Sequence, residues 1–195
     1  MEKVTGKFDL NSIRSQLVHD TIEPELEENE PVAAVAVIIN SDSEGSSILL
    51  IRRAERKDDP WSGQIAFPGG RRSLEDKNLT ETAIREAWEE VGIQLKDHHL
   101  LGHLPMVGTR NRLMHVLPVV FELKSPVSIR TNREVTEAFW VPSSDLDRLE
   151  VKEREVQVES GSLIVPSYDY EGRVIWGLTF RIINLLLNRV TPGNL

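Results

Sequence analysis

The hydrophobic pattern predicts a chain built largely of short strands. Segment 31–40 (PVAAVAVIIN) is an almost unbroken apolar run rich in β-branched residues, which is typical of a central strand covered on both faces. After the SDSEGSS turn, the run SILLIRR (47–53) predicts the second strand of a hairpin. The run QIAFPGG (64–70) predicts a short strand that ends in a glycine-rich turn. Further strands are predicted at 100–107, 113–123, 136–142, 154–159 and 162–170.

Helical patterns occur in four places. The principal one predicts a helix over residues 79–91, with Asn78 or Thr80 as its N-cap and Gly92 as its C-cap. Shorter patterns predict an N-terminal helix at 8–18, a helix with a serine cap at 143–149 and a C-terminal helix at 175–190. The acidic stretch EPELEENEP (23–31) is typical of a linker. We therefore expect an N-terminal helix-and-linker extension over residues 1–30 and a single domain over 31–195.

The principal helix concentrates like charges on one side. At about 100° per residue, Glu86, Glu89 and Glu90 fall within a sector of roughly 100°, whereas Trp88 and Val91 fall on the opposite, apolar side. Carboxylates this close repel one another and need a compensating cation. Hard divalent ions such as Mg²⁺ bind oxygen ligands and share them with substrate phosphates. The pattern therefore predicts a Mg²⁺ site that handles a phosphorylated substrate.

The stretch GGRRSLEDKNLTETAIREAWEEVGI (69–93) resembles the Nudix box, G-x5-E-x7-R-E-U-x-E-E-x-G-U, in which U is aliphatic. Its first acidic position is Asp76 instead of Glu, and eight residues separate it from Arg85 instead of seven. The preceding segment 49–70 and the later segments 101–120, 132–142 and 175–180 are similar to the coenzyme A pyrophosphatase-like branch of Nudix hydrolases. The resemblance spans about residues 32 to 188.

The resemblance implies an α/β (α+β) fold of the Nudix type, an αβα sandwich with a mixed β-sheet between helices. It implies hydrolysis of a diphosphate linkage with Mg²⁺, for which Mn²⁺ can substitute. The implied metal ligands are Glu86, Glu89, Glu90 and the Gly69 carbonyl, with Arg85 orienting the carboxylates. Asp76 is expected to brace the loop before the helix. Nudix enzymes often dimerise, so a homodimer is compatible with the resemblance.

The general base stays open between two regions. Nudix enzymes place this base either in the box helix or on a later loop. Glu86 or Glu89 could deprotonate the attacking water from the helix, and Glu134 or Glu137 could do so from the NREVTEAFW segment.

Candidate substrate-binding residues surround the box. Arg52, Arg71 and Arg72 belong to a locally basic region that could orient phosphate oxygens, and Trp61 could stack on a base or a pantetheine arm. Coenzyme A hydrolases usually carry His at the position of Trp61. Coenzyme A or an acyl-coenzyme A is the first candidate substrate, with ADP-ribose, dinucleotides and nucleoside triphosphates as alternatives. A non-catalytic nucleotide-binding module is the alternative class. The other tryptophans are expected to pack in the core: Trp88, Trp140 and Trp176.

Composition argues against several other classes of protein. The 195-residue chain has a net charge of −8, which argues against general nucleic-acid binding. It has no cysteine, which excludes a disulfide framework and a thiolate nucleophile and suits a reducing compartment. No apolar run approaches the roughly 18 residues of a membrane span. We expect a cytoplasmic protein that acts on a small nucleotide diphosphate, without a membrane or nucleic-acid partner.

Overall fold

A mixed β-sheet organises the fold, and the computed structural model describes residues 6–18, 32–43, 45–57, 59, 61–96, 99–109, 114–125, 127–158 and 161–189. The predicted linker at 23–31 and residues 110–113 lie outside the described residues. In chain order the elements are α1 (Leu10–Gln16), β1 (Val32–Asp42), β2 (Gly45–Arg53), β3 (Ile65–Ala66), β4 (Gly69–Arg71), α2 (Leu79–Val91), β5 (Leu100–His103), β6 (Val107–Gly108), β7 (His115–Leu123), β8 (Val135–Pro142), α3 (Ser143–Leu146), β9 (Lys152–Val158), β10 (Gly161–Tyr170), β11 (Arg173–Trp176) and α4 (Gly177–Leu186).

The central strand β1 lies between β2 and β7. It runs parallel to β7 and antiparallel to β2, while β8 pairs with the outer side of β2 and β5 and β6 pair with the outer side of β7. β1 and β2 pair only from Ile39 to Asp42 of β1, and beyond that they diverge. β3 then pairs with β2 and β4 pairs with β1, so the two short strands fill the fork. The glycine-rich turn is thereby fixed inside the sheet.

Side-chain alternation along β1 divides the core into two layers. Ala34, Ala36 and Ile38 face α2, whose buried apolar residues are Leu79, Ala83, Ala87 and Val91. The alternate residues Val35, Val37 and Ile39 face the opposite layer, which contains α1, α4 and residues of β10 and β11. This confirms the predicted mixed sheet between helices, because β1 is buried on both faces.

Strands β9, β10 and β11 form a separate three-stranded antiparallel sheet. The predicted C-terminal helix therefore begins later than expected: Ile175 and Trp176 belong to β11, and α4 starts at Gly177. The reason is tertiary pairing, since Ile175 lies opposite Tyr168 in this sheet. The predicted serine cap of α3 is also wrong, because Pro142 is at the N-cap and makes no side-chain hydrogen bond there.

Helix α1 packs against the α4 side of the sheet. Ile13 and Leu17 are buried in the layer that contains α4, and Arg14 pairs with Glu122 of β7 at 2.6 Å. Among the described residues, no helix is long and apolar enough to cross a membrane.

The start of α2 provides a test of how local sequence positions the helix. Asn78 is the N-cap, and its Oδ1 accepts a hydrogen bond from the Glu81 amide at 2.8 Å. Replacing Asn78 with Ala removes that acceptor, and we expect the free energy of unfolding to fall by about 1 kcal/mol. Asn78→Asp keeps an acceptor and serves as the matched control in urea denaturation. Equal destabilisation of both variants would contradict this account of the cap.

Candidate active site

The Gly-Gly turn of β4 lies directly against two carboxylates of α2. The Gly69 amide donates to Glu90 Oε2 at 2.9 Å. A Cβ atom added to Gly70 would lie 2.4 Å from Glu86 Oε1, so only glycine leaves room for that carboxylate. The Glu90 side chain is 2% exposed and the Glu86 side chain 14% exposed. Both carboxylates are therefore buried beneath the turn, on the face of α2 that packs on the sheet, and Glu90 is held there by a backbone amide.

This orientation overturns the predicted position of Trp88, which is 57% exposed and not in the core. Trp88 lies roughly 160° from Glu90 around the helix. Because Glu90 points at the turn, the opposite side of the helix, including Trp88, faces solvent. The small residues Ala83 and Ala87 instead form much of the contact with β1. Trp140 is partly buried against the α2 layer, and Trp176 is partly buried at the start of α4.

Arg85 ties the acidic side chains of the site together. Its Nη1 donates to Glu86 Oε1 at 2.8 Å and to Glu89 Oε2 at 3.2 Å. Its Nε and Nη2 donate to the two oxygens of Asp76 at 3.0 and 2.9 Å, and Nη2 also reaches the Arg71 carbonyl at 3.1 Å. A planar guanidinium with five donors suits this bidentate geometry. Arg85 therefore contacts three carboxylates at once, those of Asp76, Glu86 and Glu89.

Asp76 braces the loop between β4 and α2. Its Oδ2 accepts from the Ser73 amide and from the Thr82 hydroxyl, both at 2.9 Å. The hydrogen bond from Arg85 is the largest cause that lowers the pKa of this carboxyl to about 2, against partial burial. Asp76 thus makes the contact with Arg85 despite the extra residue in the spacing and its shorter side chain.

Burial raises the pKa of both carboxyls beneath the turn. The pKa of Glu90 rises to about 7, because removal from water and the neighbouring Glu86 charge outweigh the Gly69 amide and Arg53. Burial likewise raises the pKa of Glu86, opposed by Arg85. Two adjacent carboxylates with insufficient positive compensation favour binding of a cation.

The donor set fits a hard divalent cation. The carboxylates of Glu86 and Glu90 and the backbone of Gly69 offer oxygen donors only. Glu89 stands at the rim, with its side chain 50% exposed. In the part of the chain that the structure describes, no three acidic or histidine side chains converge closely enough to enclose a metal ion. The protein therefore supplies part of a coordination shell, which suits Mg²⁺, because Mg²⁺ commonly completes its shell with water and phosphate oxygens.

The structure separates the two candidate bases on the later segment. Glu134 lies in the turn before β8, and its charge contributes to the raised pKa of both Glu86 and Glu90. Its Oε1 accepts from Arg56 at 3.0 Å. Glu137 lies on β8 itself and is bound by Arg52 at 3.1 Å and by Arg173 at 3.1 Å. Since these arginine contacts lie on the α4 side of the sheet, Glu137 does not join the carboxylates of α2.

The candidate substrate-binding residues are spread around the turn. Arg52 is on the α4 side with Glu137. Arg72 donates to the carbonyls of Asp76 (3.2 Å) and Lys77 (2.8 Å), so its guanidinium supports the loop. Arg71 is exposed on β4, and Trp61 is 37% exposed in the turn that follows Asp59. Arg72 is also exposed and the Arg52 side chain is 38% exposed, so these two differ from Arg71 and Trp61 in their partners and not in exposure.

Arg53 is a site residue that the sequence analysis did not select. Its Nη1 lies 3.8 Å from Glu90 Oε1, and its Nη2 binds Asp59 at 2.7 Å. The alternation of β2 contained the signal, because Leu49 and Ile51 face α2 and residue 53 follows on the same face. Arg53 therefore adds a cation beside the buried carboxylates.

The pair formed by Asp76 and Arg85 predicts a pH-dependent contribution to stability. The pKa of Asp76 falls from 3.8 to about 2 on folding. Such a group stabilises the folded state above pH 3.8, and the stabilisation is lost as the pH falls towards 2. We expect Asp76→Asn to lower the free energy of unfolding by about 2 kcal/mol at neutral pH, with a smaller deficit at acid pH.

Chemical denaturation of wild type and variant over a pH series measures this deficit. Glu75→Gln, on the same loop and exposed, is the control and should change stability by less than about 0.5 kcal/mol. A deficit that stays constant from neutral pH to pH 2 would show that the charge of Asp76 is not the stabilising element.

Comparison with known proteins identifies the family. Residues 30–166 match the model of the NUDIX domain. "Uncharacterized Nudix hydrolase NudL" of Yersinia pestis (strain Pestoides F) is 35% identical over 149 residues, which cover 74% of this chain and 73% of that protein. "Uncharacterized protein C14C4.10c" of Schizosaccharomyces pombe is 42% identical over 129 residues, which cover 62% of this chain and only 39% of that protein.

Solved structures share the fold. A MutT/nudix family protein from Enterococcus faecalis matches with a TM-score of 0.60 at 18% identity, covering 88% of this chain and 66% of that one. The NUDIX domain of Shewanella oneidensis NrtR, complexed with ADP ribose, matches with a TM-score of 0.50 at 17% identity, covering 66% of this chain and 82% of that one. With the family match spanning most of the chain, and with the box carboxylates gathered under the Gly-Gly turn, the chain belongs to the Nudix family of hydrolases.

Proposed function

We propose that this Nudix hydrolase cleaves the diphosphate linkage of coenzyme A or an acyl-coenzyme A, giving a phosphopantetheine and adenosine 3′,5′-bisphosphate. The observation that carries the reaction type is the pair of buried carboxylates, Glu86 and Glu90, packed beneath the Gly69–Gly70 turn and oriented by Arg85. Glutamates that only formed a solvated face of the helix would remain exposed, where water screens their charges.

The proposed cofactor is Mg²⁺, with Mn²⁺ as a substitute. Glu86, Glu90 and the Gly69 carbonyl would hold it, with Glu89 available at the rim. When bound, the ion neutralises phosphate charge and lowers the pKa of water. Arg85 contributes by fixing Glu86 and Glu89 in one arrangement, and Asp76 fixes Arg85 from the other side. The site is thereby preorganised before substrate arrives.

We assign the general base to Glu134. Glu86 and Glu90 are buried beneath the turn, and Arg85 holds both Glu86 and Glu89. Glu134 is more exposed than Glu86 and Glu90, comes from a turn, and is near enough for its charge to act on both of them. Its ion pair with Arg56 joins two exposed side chains, so it can open to free the carboxylate. In the reaction it accepts the proton of the attacking water, whose oxygen bonds to phosphorus. The bridging P–O bond breaks, and the departing phosphate carries away the electron pair.

Substrate orientation falls to cations near the turn. Arg53 lies 3.8 Å from Glu90 and Arg71 is exposed directly after Gly70, and a guanidinium can bind phosphate oxygens in pairs. Arg52 and Arg72 are engaged by Glu137 and by loop carbonyls, so they support the site from behind. Trp61, exposed in the loop before β3, offers a flat surface for stacking.

Coenzyme A is favoured by the similarity of segments 49–70, 101–120 and 132–142 to the coenzyme A pyrophosphatase-like branch. ADP-ribose is the second candidate, because the NrtR domain of similar fold is complexed with ADP ribose. The binding-module alternative is disfavoured because this chain keeps three box glutamates and the arginine that gathers them.

The first test is hydrolysis by purified protein over a panel: coenzyme A, acetyl-coenzyme A, ADP-ribose, NADH, a diadenosine polyphosphate and nucleoside triphosphates. Products are identified by mass, with and without Mg²⁺. We expect coenzyme A to be cleaved and Glu90→Gln to abolish Mg²⁺-dependent turnover, since Glu90 is the most deeply buried carboxylate of the site. Glu153→Gln, exposed on β9, is the control. Exclusive cleavage of ADP-ribose would reject the coenzyme A assignment, and absence of any Mg²⁺-dependent cleavage would favour a binding module.

The base assignment gives a second prediction. We expect Glu134→Gln to lower kcat by about 10²-fold or more, because general base catalysis contributes that much. Glu137→Gln should leave kcat within about threefold, since Glu137 binds Arg52 and Arg173 on the other face of the sheet. Steady-state kinetics on the substrate found in the panel measures both. A large loss for Glu137→Gln with little for Glu134→Gln would reverse the assignment.

A further inference from the structure

Arg56 forms an ion pair with the carboxylate that is assigned as the general base. Its Nη2 donates to Glu134 Oε1 at 3.0 Å, so the pair joins the loop after β2 to the turn before β8. The two side chains are 44% and 38% exposed, and the hydrogen bond joins one nitrogen to one oxygen. An exposed ion pair contributes little stability, because water screens both charges. Opening this pair therefore costs little free energy.

The backbones on either side of the pair are fixed by other hydrogen bonds. The Ala54 amide donates to the Glu134 carbonyl at 2.8 Å, and the Arg56 amide donates to Ser62 Oγ at 2.7 Å. The Glu134 amide donates to Asn132 Oδ1 at 2.8 Å. The pair can therefore open by rotation of two side chains, a fast motion in exposed residues, while the loop and the turn keep their positions.

The turn that carries Glu134 is attached to the helix of the buried carboxylates. The Asn132 amide donates to the Glu90 carbonyl at 3.2 Å, near the end of α2. Burial is the main cause of the raised pKa of Glu86 and of Glu90, and the charge of Glu134 adds to the rise at both. Because the interaction between charges falls with distance, Glu134 lies near these carboxylates and Arg56 lies beside it. A diphosphate bound over these carboxylates is then close to the Arg56 guanidinium.

Glu134 and a substrate phosphate are competing partners for Arg56. A guanidinium can bind phosphate through two parallel hydrogen bonds, whereas Glu134 accepts one hydrogen bond from Arg56. Exchange of partners gives Arg56 the stronger contact. It also frees the Glu134 carboxylate to accept a proton from water.

We propose that Arg56 changes partner when substrate binds, releasing Glu134 and binding oxygens of the diphosphate that is cleaved. In the free enzyme the ion pair occupies the base, so the base becomes available only when a phosphate has arrived. This inference rests on the proposed function and on its assignment of the base, and it adds Arg56 as a substrate-binding residue.

The test measures binding without turnover. The probe is α,β-methylene-ADP, a diphosphate analogue with a carbon bridge, titrated calorimetrically into the full chain at saturating Mg²⁺. We expect Arg56→Gln to bind it about tenfold or more weakly, since charge-assisted hydrogen bonds contribute at this level. Glu134→Gln should bind it about two- to fivefold more tightly, the factor that corresponds to loss of a competing exposed ion pair. In the double variant this gain should disappear, because the arginine that Glu134 occupied is absent.

Two outcomes of the titrations overturn the proposal. One is an Arg56→Gln variant that binds the analogue as tightly as wild type. The other is a gain from Glu134→Gln that has the same size with and without Arg56, which is what simple repulsion between the carboxylate and the diphosphate would give. Arg56→Lys keeps the charge without the planar fork, so it should recover only part of the affinity that Arg56→Gln loses.

Matched controls come from ion pairs elsewhere in the molecule. Arg154 of β9 is 46% exposed and binds Asp169 of β10 at 2.7 Å, which resembles the pair made by Arg56. Glu137 binds Arg173 on the α4 side of the sheet. Arg154→Gln and Glu137→Gln should each bind the analogue as wild type does.

Steady-state kinetics on the substrate found in the panel separates this inference from the proposed function. Arg56→Gln should raise KM about tenfold. A fall in kcat at unchanged KM would show that Arg56 only positions Glu134, and would reject the exchange while leaving the function intact. Binding of the analogue through Arg56, in a protein that cleaves no member of the panel, would retain the phosphate contact and reject the proposed reaction. A wild type that does not bind the analogue would overturn the inference, and the hydrolysis panel alone would then decide the function.

Discussion

The burial of two like-charged carboxylates against a strand backbone is the constraint on which the rest of the structure depends. Glu86 can lie there only because Gly70 has no side chain, and Gly69, which packs tightly against β1, donates its amide to Glu90. The helix must also sit close to β1, which small residues at 83 and 87 allow. Arg85 then offsets part of the charge, and Asp76 fixes the arginine. Glycine, alanine and arginine residues of segment 69–87 thus serve a single electrostatic requirement.

Local features of the site could be predicted from sequence. The bounds of α2, its N-cap Asn78 and its C-cap Gly92 depend on backbone groups within a few residues, so the sequence contains what determines them. The contact of Arg85 with Glu89 likewise follows from a spacing of four residues on a helix. The burial of β1 on both faces could also be predicted, because its apolar run leaves no polar face.

Features set by tertiary packing could not be predicted in this way. The helical pattern predicted that Trp88 lies in the core, because the pattern separates apolar from charged positions. It does not include the Gly-Gly turn, whose amide binds Glu90 and so places the opposite side of the helix, with Trp88, in solvent. Glu134 and Glu137 belong to one short segment, and only the structure shows that Glu134 lies in the turn before β8 whereas Glu137 lies on β8 opposite Arg52. Ile175 fits the helical spacing of its neighbours, but it belongs to β11 because it pairs with Tyr168 of β10.

The fork between β1 and β2 makes the length of the turn inflexible. Gly70 lies opposite Ala34, and neighbouring positions along β4 point to alternate sides of the sheet. A single residue inserted or deleted between Phe67 and Gly70 would place a different residue opposite Ala34, and any residue there except glycine would collide with the Glu86 carboxylate. The carboxylate beneath the turn therefore fixes the length of the turn, a constraint that does not apply to the loop between β2 and β3.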